Sequence, residues 1–335
     1  MSIQNIKTMW SNSKTSPQKD EVERIHLQPF DPDTMPPGSL AIVIGRRYSG
    51  KSYAVRHIMH MCYLRGMPVG AIFSGTEHVS PFFGDYFPDS FIWNDEDLTD
   101  ERIHELLKGQ ENACHEWKGK IDDCSCLHCR KNPYKFDKKR GHCIHNNMLL
   151  ITDDMMSQEK LLKKSAYYKK LFVEGRHYNI MYLLCLNYSM GLTPTMRSNV
   201  DYVFLYAEEE VVNMKRLYEN YAGIFPTFRM FKETLDQCTE DFGCLVIDKR
   251  SKSKVLTDRV FHFKAKDPGP FKYGNKEFWD KHYEHIGKKV SRNRPKRYRD
   301  NDHTNYKRNS ENSEDAQVKR MIEMYGGKKY SIIKH

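Results

Sequence analysis

Lys51 and Ser52 close the run Gly45-Arg46-Arg47-Tyr48-Ser49-Gly50-Lys51-Ser52, a complete match to the spacing G-x-x-x-x-G-K-[ST]. Glycines at those positions let backbone N–H groups converge on an anion, and a helix starting at the lysine adds the positive end of its dipole. The pattern predicts a polyphosphate site. Lys51 would reach the β and γ phosphates of a nucleoside triphosphate, and the Ser52 hydroxyl would ligate Mg²⁺. A second set of groups lies a hundred residues on, where four apolar residues lead through Thr152 to Asp153 and Asp154. Such chemistry calls for a carboxylate delivered by the strand adjacent to the phosphate loop. Asp153 is assigned to the metal, through Mg²⁺ and its waters, and Asp154 to accepting a proton from the attacking water or orienting it. The structural alternative for this pair is an N-terminal cap on the next helix, where Asp is common.

A third set is rich in sulfur and imidazole. Residues 108–146 hold five cysteines and four histidines. Cys124, Cys126, Cys129, Cys143 and His145 are the first candidates for a tetrahedral Zn²⁺ site, on either side of a Lys/Arg-rich loop at 130–140. The spacing departs from the common C-x₂-C pairs. An insertion with unpaired thiols is the competing reading.

These groups need elements to hold them. The β-branched run at 40–44 reads as a buried strand, and 53–64 as an amphipathic helix, so the glycine loop has the strand–loop–helix context that a phosphate site requires. Further apolar strands are read at 68–73, 90–93, 147–152, 180–186 and 201–206, with helices from Thr99 or Asp100, over 158–174, and near 208–221 and 228–238. Strands alternating with helices predict an α/β fold with a mainly parallel sheet flanked by helices. Two late strands, 242–248 and 260–263, read as a hairpin across 249–254. The expected organisation is an extended or disordered arm at 1–37, where prolines break any helix, a nucleotide-binding domain at 38–265 interrupted by the insertion, and a basic tail at 266–335.

The chain has 335 residues, a net charge of +10 and nine cysteines. Its last 48 residues carry fourteen Lys/Arg against six Asp/Glu, so the positive excess is concentrated there. Phosphate neutralisation by such a tail gives sequence-independent affinity for nucleic acid. A solubilising tail or a localisation signal is the plainer explanation. No run of eighteen apolar residues predicts a transmembrane helix, and the first nineteen residues lack a signal-peptide core. An odd cysteine count without export signals suggests free thiols or metal ligands in a reducing compartment.

Taken with the glycine loop and the Asp-Asp strand end, Gly175-Arg176-His177-Tyr178-Asn179-Ile180 and the stretch Pro194 to Tyr202, which includes Arg197, Asn199 and Asp201, form a recurrent set. Over roughly 38–265 the chain resembles the genome-packaging ATPases of nucleocytoplasmic large DNA viruses, in the FtsK/HerA division of P-loop motors. The resemblance implies ATP and Mg²⁺ as ligands and double-stranded DNA as the substrate track. It also implies a homo-oligomeric ring, a capsid or portal component as partner, and the host cytoplasm (the viral factory) or the virion as location. Arg176 matches the arginine that such rings extend into a neighbouring subunit's nucleotide; its alternative is contact with the preceding helix C-terminus. Asn187 stands where the family has a polar sensor, usually Gln, and reaches one methylene less. Arg197 and Asn199 match a family motif whose task, at nucleotide, DNA, subunit interface or core, the resemblance leaves open. Two other readings compete: a small P-loop kinase, and a nucleic-acid-binding scaffold that uses ATP only to assemble.

Overall fold

The structure, a computed structural model, describes residues 26–118, 146–155, 158–188 and 192–290. The apolar runs form β1 (Gln28–Pro29), β2 (Leu40–Ile44), β3 (Val69–Ser74), β4 (Ile92–Trp93), β5 (Met148–Asp153), β6 (Ile180–Leu186), β7 (Tyr202–Leu205), β8 (Cys244–Asp248) and β9 (Val260–Phe263). They make one sheet in the order β1-β9-β8-β7-β2-β6-β5-β3-β4. The block from β7 to β4 is parallel throughout, whereas β8 runs antiparallel to both β7 and β9. All residues of β2 and β6 are buried, which is why these strands read as continuous apolar runs rather than alternating ones.

The helices are α1 (Lys51–Leu64), α2 (Asp100–Lys118), α3 (Glu159–Lys164), α4 (Ala166–Glu174), α5 (Pro194–Ser198), α6 (Val211–Tyr221), α7 (Phe228–Cys238) and α8 (Lys276–Val290). The helix expected over 158–174 is two. Ser165 breaks it and caps α4, its Oγ accepting from the Tyr168 amide at 2.9 Å.

Three boundaries move. The arm expected at 1–37 is part of the sheet where the structure describes it: β1 pairs in parallel with β9, and Phe30 is buried among Tyr202, Phe204, Phe261 and Phe263. Pro29 is tolerated because β1 is an edge strand that needs no further donor on its open side. The insertion expected from residue 108 starts later. α2 continues to Lys118, with Ala113 and Cys114 buried on the stripe begun by Ile103, Leu106 and Leu107. Cys114 is thereby taken into the core, where Asn146 and Asn179 donate to its sulfur at 3.6 and 3.4 Å. The tail expected from 266 is packed as far as the described residues of α8. Tyr273 stacks on Phe87, Phe278 lies 4.3 Å from the Phe91 ring centre, and Asp267 pairs with the buried Arg56 at 3.0 Å. Five aromatic and histidine side chains between 271 and 282 offset the cationic composition of this stretch. No helix among the described residues is long and apolar enough to cross a membrane.

The strand carrying Asp153 is not the neighbour of β2. β6 lies between them, paired with β2 on one side and with β5 on the other. An inserted strand places a further side chain, Asn187 at the end of β6, between the glycine loop and the two aspartates.

Candidate nucleotide site

The parallel strands all end at one edge of the sheet, and α1 begins there. Register aligns Ile44 with Leu186 on β6, and Cys185 with Asp153 on β5, so the glycine loop, Asn187 and the Asp pair follow three neighbouring strand ends. Gly45 is required where β2 turns into the loop: a Cβ there would sit 2.5 Å from the Tyr206 Cβ and 2.7 Å from the Ser49 Oγ. Gly50 has φ +101° immediately before α1, a conformation that L side chains avoid.

A chain of polar contacts runs across this edge. The Lys51 Nζ donates to the Asn187 Oδ1 at 2.8 Å, and to the Arg46 carbonyl at 3.4 Å. The Asn187 Nδ2 donates in turn to the Asp154 Oδ1 at 2.8 Å. Arg47 reaches the other Asp154 oxygen at 3.7 Å, and Arg46 pairs with Glu209 at 2.6 Å. Asp154 has φ +52°, a left-handed turn that an Asp tolerates better than most residues. The turn ends β5 and leaves the carboxylate facing Asn187. Among the described residues Asp154 bonds to Asn187 and pairs with Arg47.

The charges are poised by burial. Burial pushes the Lys51 ammonium below its usual value, opposed by Asp153 and other negative groups. Burial also pushes the Asp153 carboxyl up to about 6; Lys51 opposes this, while Asp154 and Glu77 add to it. A cation next to Asp153 would relieve that penalty. The two expected ligands, a hydroxyl in the first turn of α1 and a carboxylate at the end of β5, are oxygen donors, as Mg²⁺ prefers when phosphates and waters complete its shell. Ser52 and Asp153 therefore fit the metal expected of them. Among the described residues no group of three or more His, Cys, Asp or Glu side chains could hold an ion unaided.

Glu77 was not singled out from sequence. Its carboxylate accepts from the amides of Phe82, Phe83 and Gly84 at 3.0, 3.0 and 2.8 Å, holding the loop after β3 beside the Asp pair. The polar run Ser74-Gly75-Thr76-Glu77 at a strand end was the available signal. Arg46 and Arg47 counted only as loop positions; nothing in their spacing announced partners at 209 and 154.

Arg176 lies elsewhere. It is exposed on a short 3-10 turn, Gly175–Tyr178, that precedes β6, at the far edge of the sheet from Lys51. Seven residues of β6 separate the two edges, roughly 23 Å of strand. Arg197 and Asn199 sit at that far edge as well, and both are engaged locally: Arg197 donates to the Leu192 carbonyl and Asn199 to the Thr195 carbonyl. The metal candidates Cys124, Cys126, Cys129, Cys143 and His145 lie outside the described residues. The described cysteines, 62, 114, 185, 238 and 244, are free thiols.

No family profile matches the chain. Uncharacterized protein L437 of Acanthamoeba polyphaga mimivirus is 34% identical over 271 residues, covering 81% of this chain and 88% of its own. Uncharacterized protein 088R of Invertebrate iridescent virus 3 is 30% identical over 252 residues, 72% of this chain and 85% of that one. Among solved structures, the genome packaging NTPase B204 from Sulfolobus turreted icosahedral virus 2, in complex with sulfate, matches with a TM-score of 0.43 at 14% identity, covering 70% of this chain and 99% of that one.

Proposed function

The chain belongs to the family that includes protein L437 of mimivirus and protein 088R of Invertebrate iridescent virus 3, and from that premise we propose that it is an ATP-driven translocase of double-stranded DNA that loads a viral genome into its capsid. The observation that carries the proposal is the relay Lys51–Asn187–Asp154 at the strand ends where the glycine loop opens. An ammonium, an amide and a carboxylate hydrogen-bonded in one row support a reading in which Lys51 binds phosphate and Asp154 acts as base.

Bound ATP would lay its β and γ phosphates against Lys51 and the loop amides, drawing the ammonium away from Asn187. Ser52 and Asp153 would hold Mg²⁺, which would supply charge neutralisation when bound. Asn187, released by Lys51 but still donating to Asp154, can then use its Oδ1 to orient the attacking water. The water oxygen bonds to the γ phosphorus as the bond to the β–γ bridging oxygen breaks. Its proton passes to the Asp154 carboxylate. Arg47 leaves Asp154 in this sequence, which frees the Oδ2 that it contacts to receive the proton.

Arg176 supports the oligomeric part of the reading. It is too far from its own Lys51 to touch the same nucleotide, so a phosphate that it stabilises belongs to another subunit. A homo-oligomeric ring provides that arrangement, and the basic C-terminal stretch supplies non-specific grip on DNA. The viral setting rests on the relatives, and the packaging role on the motif resemblance.

The test is steady-state ATP turnover by the full chain with and without linear duplex DNA. A rise on duplex addition, absent in Lys51→Ala, is the expected result. Turnover that ignores DNA but transfers phosphate to a small acceptor would instead indicate a kinase, and nucleotide-dependent assembly without turnover a scaffold.

A further inference from the structure

The groups that act on the γ phosphate all lie on the β6 and β5 side of the glycine loop. The rest of a nucleotide must leave the loop on the other side, towards β7 and β8. Register aligns Ile44 with Leu205 on β7, and Leu205 with Leu245 on β8. Because β8 is antiparallel, its first residue rather than its last stands at the nucleotide edge. The turn that leads into it, Glu240–Phe242, is therefore brought beside the loop, about two strand spacings or ~10 Å from β2.

That turn has three unusual properties together. Asp241 and Phe242 are consecutive non-glycine residues with φ of +48° and +62°. The Phe242 ring is 68% exposed, although the core contains many aromatic side chains that the same sheet buries completely. Its backbone leans on the phosphate loop: a Cβ at Gly50 would lie 3.1 Å from the Phe242 Cβ and 3.2 Å from its carbonyl oxygen. Left-handed backbone is strained at a bulky residue and persists where surrounding structure enforces it. Here Gly243 enforces it, since its amide donates to the Glu240 carbonyl at 2.9 Å and a Cβ at 243 would strike the Cys238 carbonyl. The Lys264–Asp241 pair, at 3.7 Å, ties the turn to the end of β9.

We infer that Phe242 is the platform on which the base of the bound nucleotide stacks, which selects a purine nucleoside triphosphate over a base-free polyphosphate. The inference rests on the nucleotide-site reading above and adds the base-binding half of that site. An exposed aromatic face next to the glycine that admits the phosphates gives a planar base a surface that every purine fits, without hydrogen-bond readout. Stacking of this kind contributes roughly five- to a hundredfold in affinity per base. Arg46 and Glu209, paired on the same side of the loop, form the polar rim that the ribose would meet. ATP and GTP should therefore bind with similar strength, and pyrimidine triphosphates, with a smaller ring, more weakly.

The experiment compares Mg·ATP with inorganic tripolyphosphate, which has the phosphates and no base, by calorimetry on the full chain. In Phe242→Ala, ATP affinity should fall about tenfold while tripolyphosphate affinity stays unchanged, and Phe242→Tyr should restore ATP binding. ATP affinity unchanged in Phe242→Ala overturns the inference while leaving the nucleotide site standing. So does an equal loss for both ligands, which would mean that the turn only props the phosphate loop. A wild-type chain that binds neither ligand removes the nucleotide site itself, and the base platform with it.

Discussion

Asp153 and Asp154 are neighbours in sequence but stand in different electrostatic surroundings. Asp153 is pushed up to about 6 by burial, whereas Asp154 is engaged by Asn187 and Arg47. Metal binding needs the Asp153 carboxylate ionised. The value of kcat/KM for Mg·ATP should therefore fall on acidification with an apparent pKa near 6, as read from a pH–rate profile; a limb near 4, the ordinary Asp value, would contradict the assignment. Stability should move the other way. The folded chain holds this proton more tightly than the unfolded one, so the group's contribution to stability is full below about pH 4 and is lost as pH rises through about 6. Asp154→Asn separates binding from chemistry. An amide keeps the shape and the contact with Asn187 but cannot take a proton, so nucleotide affinity should stay within a few-fold while turnover drops by about 10²–10⁴. Parallel losses in binding and turnover would mean that Asp154 serves the phosphate or the metal instead.

At the scale of elements, the period and length of apolar runs made most of the sheet legible, including the antiparallel pair β8 and β9. Strand order was not legible, because no local pattern says that β6 inserts between β2 and β5. That one fact sets Asn187, which the resemblance marks as a polar sensor, between Lys51 and Asp154. The glycine loop was legible because its chemistry fixes the spacing of its residues, and the Asp pair because it follows an apolar run. The Phe242 turn was not, because left-handed backbone at Asp241 and Phe242 has no compositional signal. The ends of the domain were misplaced for a similar reason. Prolines at 29, 32, 36 and 37 look like breakers, yet one of them occupies an edge strand. Lysines between 264 and 281 hide an aromatic set that covers α1, β3 and the segment leading into β4. Phe278, fully buried against Phe87 and Phe91, tests that packing. Phe278→Ala should destabilise the chain by about 3–5 kcal/mol, read as a lower urea midpoint. A midpoint within error of wild type would mean that 271–284 is an appendage after all.

At the scale of the whole molecule, the candidate residues fall at two opposite edges of the sheet. One edge carries Lys51, Asn187 and the aspartates; the other exposes Arg176 about 23 Å away. Under the proposed function a phosphate stabilised by Arg176 belongs to another subunit, which is why that proposal calls for a ring. Arg176→Ala subunits should bind ATP normally yet turn it over slowly. Mixed with Lys51→Ala subunits under conditions of verified exchange, they should regain turnover, because an intact loop from one meets an intact arginine from the other. Arginines acting this way contribute roughly 10³- to 10⁵-fold in rate. Exchange without rescue would exclude Arg176 as the residue acting in trans. The central claim, that hydrolysis at the Lys51 edge drives movement along duplex DNA, is tested most directly by triplex displacement. A third strand bound at one end of a linear duplex is released only if something travels to it. The wild-type chain with Mg·ATP should displace that strand with a lag that lengthens as the duplex lengthens, and Lys51→Ala should displace none. Brisk hydrolysis with the triplex left in place at every duplex length would contradict the account.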